Sequence, residues 1–482
     1  MSPDSSGRRR CQGSRFEFIA VTGDNVAGDE STRRRVRSHA MVDYKRRTTQ
    51  PKEKPNNTIE LDVTPLLGGS LQPRQQYSPV GEHEQEMVLR GPSPLSMLDT
   101  NRGDPFGTFP ISGTHRSRQL WDHMYDGSCP MFRTLSMIGF LDVVRETIAL
   151  SQLLSAASRH LGLLLGSDSP DAYGYSIQAT TSLQERLADP IACTSDEVIS
   201  IVLAFACYAN MFRDPNLLNI HMNGLDRILG CRGGIRSLDT SPLLRTMIYW
   251  VDLNGAYLQD SVPRYPQPIT ILAARSKLNI ALLDRLSHTG NGGHAPVMTM
   301  SHMRDRINEL HFVIRLELAR RDLWTDIIFP GFHVSPILHL LLSQPRATIN
   351  ESLDDQITEC FRLAGIIYLT ELRGLFGVDT IPGQQYGSKL QSQMQTLEPV
   401  VYTQSTNFHL VWALTVGACA SCLDQYLREW FNERLISVLA VLRIPTFVDF
   451  RAAVTDYSWS TEALGQSLDS LNSKLFPATL LN

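Results

Sequence analysis

An all-α fold is predicted for this chain on three observations. From about residue 118 onward, apolar residues recur at spacings of three and four, the repeat of a helix that buries one stripe. Segments with that repeat open on Ser, Thr or Asp, often followed by Pro, and one of them closes on a pair of glycines, as helix ends require. Strand-like alternation is nearly absent beyond residue 25.

The chain starts differently. Residues 1–15 are polar, with the composition of a disordered segment, and "RFEFIAV" (15–21) reads as a short extended stretch with Phe16 and Phe18 on one side. After a turn region, "STRRRVRSHAMVDYKRRTTQ" (31–50) predicts a helix capped by Asp29 or Ser31, with Val36, Ala40 and Tyr44 on one face. It carries Arg33, Arg34, Arg35, Arg37, Lys45, Arg46 and Arg47 in two clusters. Residues 48–100 are rich in Pro, Gly, Gln and Ser, so the organisation reads as a basic arm (1–50), a flexible linker (51–117) and a helical domain (118–482).

Within the helical domain, "SMIGFLDVVRETIALSQLLSAASRHLGLLL" (136–165) predicts two helices or one long one. The helix over 193–212 opens on a capping box of Thr194 and Glu197. The next, 213–234, has Asp214 as cap, Pro215 in its first turn and Gly233 and Gly234 at its end. "TSPLLRTMIYWVDLNGAYLQD" (240–260) repeats the Ser–Pro start and aligns Leu244, Met247, Ile248, Val251 and Gly255 on one face. Further helices are expected at about 301–323, 351–375, 405–427 and 430–442, with no fixed-period repeat.

Charge is unevenly spread. The chain of 482 residues has a formal charge of −4, yet residues 1–50 hold eleven Lys/Arg against six Asp/Glu, a net of +5 that leaves −9 for the rest. A basic arm on an acidic body selects an anionic partner for the arm alone. Nuclear import, contact with nucleic-acid phosphates and a plain solvated face are the three readings, in that order. Phosphate contact by seven cations alone would be salt-dependent and mostly non-specific, with a Kd of about 10⁻⁴ to 10⁻⁶ M.

Chemical motifs are thin. The eight cysteines read as reduced and mostly buried, and "CASC" (419–422) lacks the second ligand pair of a zinc site and falls in an apolar helical run. "GCRGGIRSL" (230–238) follows a helix and has no Lys-Ser/Thr, so it reads as a helix end rather than a phosphate loop. No G-x-S-x-G elbow or H-E-x-x-H helix is present. His221 shares a face with Leu218 and Leu225, as a core histidine would, and Asp252 needs a partner, for which Arg264 is the candidate. The longest apolar stretch, 408–423, is shorter than a membrane span, and no secretory signal opens the chain; a soluble, intracellular protein without cofactor is expected.

The run from "SDEVISIVLAFACYANMF" through "LNGAYLQDSVPRYP" (195–266) resembles the helical regulatory domain of fungal-specific transcription factors. The resemblance rests on His221, Gly224 and Leu225, on Arg232, Gly233 and Gly234, on Trp250 and Asp252, and on Pro263, Arg264, Tyr265 and Pro266. "FEFIAV", "DPFGTFPI" (104–111) and the late "FHLVWALTVGACAS" with "REWF" extend it in patches. It implies a non-enzymatic regulator of transcription in the nucleus, of a kind found among genes of secondary metabolism, working through other regulators or self-association. The six-cysteine zinc cluster with which the wider family binds DNA is missing, since the N-terminal region holds only Cys11. A scaffold acting outside the nucleus and an enzyme with a helical site are the rivals. A pocket uniting His160, His221, Asp252 and Arg264 would favour the enzyme, and an effector ligand, if any, has no identified residues.

Overall fold

The computed structural model describes residues 113–145, 147–276, 298–347, 352–378, 383–401 and 408–477. The basic arm, its seven cations and nearly all of the linker lie outside the described residues. The described residues fall in one compact unit that takes in Gly107–Asn482; a second unit, Ile19–Phe106, is outside them. Among the described residues every regular element is helical and none is a strand, so the fold is all-α.

Helix α1 (His115–Tyr125) begins inside the stretch read as linker, capped by Thr114, whose hydroxyl accepts from the Ser117 amide at 3.1 Å. The expected helix over 136–165 is cut into pieces, α2 (Pro130–Met137), α3 (Phe140–Val144) and α4 (Ala149–Leu165). Gly139 makes the first break: at φ +83° it takes a left-handed conformation that a side chain would strain. Helix α5 (Pro170–Ala188), which the apolar spacing does not announce, packs antiparallel-hairpin fashion against α4. Its Ser-Pro-Asp start was the available signal.

Helices α6 (Asp196–Met211), α7 (Pro215–Arg232) and α8 (Pro242–Gln259) follow as expected, with one correction. Ser195, not Thr194, caps α6: its hydroxyl accepts from Val198 N at 3.3 Å, while Thr194 ends a 3₁₀ turn and Glu197 pairs with Arg186 at 2.7 Å. Asp214 caps α7 at 2.9 Å to Leu217 N, and Gly233 ends it at φ +106°.

The second half runs through α9 (Ile269–Ser276), α10 (Met300–Leu318), a π turn (Pro330–Val334), α11 (Ser335–Leu342), α12 (Leu353–Leu375) and α13 (Gly383–Val401). It ends with α14 (Phe408–Cys419), α15 (Gln425–Val441), α16 (Phe447–Ser458), α17 (Thr461–Asp469) and α18 (Asn472–Leu475). Asp424 caps α15, so the chain turns between Cys419 and Asp424, and "CASC" ends one helix instead of lying inside a longer one. Cys419 and Cys422 are free thiols, as are the other described cysteines. No described helix is long and apolar enough to cross a membrane.

Four helices form the interior. On α6, α8, α12 and α14 buried residues run right round the helix, not along one stripe. Helix α6 packs on α4 and α7, α8 on α6, α7 and α11, and α12 on α13 and α14. The predicted face of α8 is buried, and Gly255 on it lets α7 approach: a Cβ there would sit 2.5 Å from Leu218 Cδ2. Most of the other residues of α8 are buried as well, Arg245, Tyr249 and Asp252 among them.

Candidate functional site

Most of the residues that carry the resemblance meet where α6, α7 and α8 join. His221 is buried on α7, its ring stacked on Phe205 of α6 with centroids 5.1 Å apart; burial pushes its pKa down to about 4. Gly224 and Leu225 are buried on the same helix. Arg232, at the end of α7, donates to the Thr194 carbonyl at 3.0 Å and pairs with Asp196 at 2.5 Å, fastening the end of one helix to the start of another. Gly233 and Gly234, at φ +106° and +91°, supply the turn that permits this. Trp250 of α8 reaches across to donate to the Gly331 carbonyl at 3.1 Å.

The segment after α8 closes over this unit, with Pro263 and Tyr265 buried. Asp252 is buried and accepts from the Tyr265 amide at 2.9 Å. Burial outweighs the backbone hydrogen bonds of Tyr265 and Arg264 and raises its pKa to about 7. The expected Asp252–Arg264 side-chain pair does not form. The Arg264 guanidinium turns outward to α7, at 2.8 Å from Asp226, 2.7 Å from Asn223 and 3.1 Å from Asn219, because there it keeps water contact that the Asp252 pocket denies. The Tyr265 hydroxyl donates to the same Asp226 carboxylate.

A second polar cluster lies at the C-terminus of α8 and is absent from the sequence reading. Asp260 adopts φ +48° and its side chain is 4% exposed. It accepts from Arg362 at 3.0 and 3.3 Å, Arg346 at 3.3 Å and Lys389 at 2.7 Å. Arg362 also donates to both oxygens of Glu359, each at 2.7 Å. Burial alone would raise the Asp260 pKa, but the Arg362 charge and hydrogen bonds, with Lys389, overcome it and hold the carboxyl below the usual range. Two charges three apart within the apolar run "TECFRLAGIIYL" were the signal that could have found it.

Histidine 160 belongs elsewhere. Its Nδ1 is 2.9 Å from His123 Nε2, and His123 Nδ1 is 2.8 Å from Asp126, a carboxylate–imidazole–imidazole chain between α1 and α4. The four residues His160, His221, Asp252 and Arg264 therefore do not unite in one pocket: only Asp252 and Arg264 adjoin, through the Arg264 backbone. Among the described residues no three His, Cys, Asp or Glu side chains are grouped to hold a metal ion. Arg33, Arg34, Arg35, Arg37, Lys45, Arg46 and Arg47 lie outside the described residues.

No known protein family, curated protein or solved structure matches this chain.

Proposed function

We propose that the protein is a transcription-regulator-like protein of the fungal-specific type, acting in the nucleus through contacts made by its helical body, with residues 31–47 as the import device. One observation carries the reading: the residues of the resemblance, up to 45 positions apart in sequence, are joined in one helical unit by ties of Arg232, Asp252, Arg264 and Tyr265. Each of these groups fastens one element to another, the role expected of punctuation in a docking domain rather than of acid–base chemistry. The net +5 of residues 1–50 against the −9 of the remainder supports a separate duty for the arm. Regulation of secondary-metabolism genes is the context the resemblance suggests, and DNA-bound partners or a second copy are the docking targets.

The test compares the full-length chain, fused to a fluorescent reporter, with a variant lacking residues 31–47. Nuclear accumulation of the first and its loss in the second are expected, with chromatin occupancy falling in parallel. Equal distribution of both between nucleus and cytoplasm would overturn the reading.

A further inference from the structure

Arg245, Tyr249 and Asp252 stand at i, i+4 and i+7 on α8 and so share a face. That face meets the Pro263–Pro268 segment, α11 and α12. Arg245 Nη2 donates to the Pro266 carbonyl at 2.7 Å, and Asp252 accepts from Tyr265 N at 2.9 Å. His339 of α11 lies against the Tyr249 ring, centroids 5.7 Å apart, and its Nε2 is 3.0 Å from the Tyr265 carbonyl. The charges of Arg245 and of Arg373 on α12 both act on the Tyr249 hydroxyl. Arg245 is 4% exposed and Tyr249 1%.

Two donors in this junction have no hydrogen-bond partner among the described residues: Arg245 Nη1 and the Tyr249 hydroxyl. Buried donors are satisfied in the great majority of native structures, and an unsatisfied guanidinium N–H is among the costliest to leave. Two carboxylates act on the Arg245 charge: Asp239, which is exposed, and Asp252, which is committed to the Tyr265 amide and, with a pKa of about 7, is only partly ionised at neutral pH. The junction thus holds a positive charge and two free donors on one helix face, four residues apart, inside an apolar core.

We propose that this junction binds a small organic acid, whose carboxylate takes one hydrogen bond from Arg245 Nη1 and one from the Tyr249 hydroxyl while its carbon skeleton lies in the apolar core between α8, α11 and α12. Two donors match the two oxygens of a carboxylate; a phosphate presents more oxygens and more charge than they answer. Clefts between packed helices with a few convergent polar groups are where such ligands bind. The site stands on its own geometry and does not depend on a nuclear role for the chain.

The experiment uses the purified full-length protein and three acids, decanoate, benzoate and naphthalene-2-carboxylate, each beside the corresponding primary alcohol. Binding is followed by calorimetry and by tryptophan fluorescence, since Trp250 adjoins Tyr249 in the chain. At least one acid should bind saturably and about tenfold or more tighter than its alcohol. Tyr249→Phe should weaken that acid about tenfold while leaving the circular dichroism spectrum and the unfolding midpoint unchanged or higher, because it removes only an unpartnered hydroxyl. Arg245→Met should weaken it further. Arg245 also holds Pro266, so the Tyr249→Phe result decides the matter if Arg245→Met fails to fold. Acids that bind no better than their alcohols, or undiminished binding by Tyr249→Phe, would overturn the proposal and leave the two donors to buried water.

Discussion

Replacing Asp260 by Asn tests how far the second polar cluster holds the two halves of the helical body together. Asn tolerates the left-handed backbone that Asp260 adopts at φ +48° and ψ +51°, and it matches the shape, so the change isolates the charge. Wild type places two carboxylates, Asp260 and Glu359, among three cations, Arg362, Arg346 and Lys389. Removing one member of a buried ion pair costs about 3–5 kcal/mol. Glu359 retains both of its bonds to Arg362, and Lys389, 47% exposed, can return to water, so the loss should lie at the low end, about 3 kcal/mol. Urea unfolding at pH 7, followed by circular dichroism, would show the midpoint fall with an unchanged slope. The folded-state pKa of Asp260 is lowered, so its contribution is present above the unfolded value of about 3.9 and is lost as pH falls through the lower folded value. The gap between wild type and Asp260→Asn should therefore narrow below about pH 4. A difference under about 0.5 kcal/mol at pH 7, no larger than an ordinary surface substitution, would refute the reasoning.

Two further outcomes follow from the caps and the buried histidines. Ser195→Ala should cost about 1 kcal/mol in the same unfolding assay and Thr194→Ala much less, which separates the observed cap from the predicted one. Burial depresses the pKa of His221, His333 and His339 to about 4 each, below the unfolded value of about 6.5. The unfolded chain then takes up protons that the folded chain refuses, so stability should be full above about pH 6.5 and fall steadily toward pH 4. His221→Gln should flatten that slope, and an unaltered slope would remove His221 from the account.

The helices with one apolar stripe and a clear start were legible residue by residue. Asp214, Pro215, Gly233 and Gly234 bound α7 because capping and left-handed turns are local chemistry, settled within four residues of chain. At the start of α6 the pattern chose wrongly: the Thr194–Glu197 spacing fits a capping box, yet Ser195, one residue on, makes the cap. The apolar runs of α12 and α14 were equally plain, but not that those helices would be enclosed on all sides.

The sequence by itself determined that the body is helical, where several helices begin and end, and that its positive charge is concentrated near the front of the chain. Only the tertiary structure decided the partners of the charged groups: Arg264 with Asp226 instead of Asp252, Arg362 with Asp260 across 102 positions, and Arg245 with the Pro266 carbonyl. The physical reason is range. A cap or a stripe is fixed by neighbours within a turn or two, whereas the cost of burying a charge depends on which distant helix arrives beside it, and that is set by the packing of the whole body.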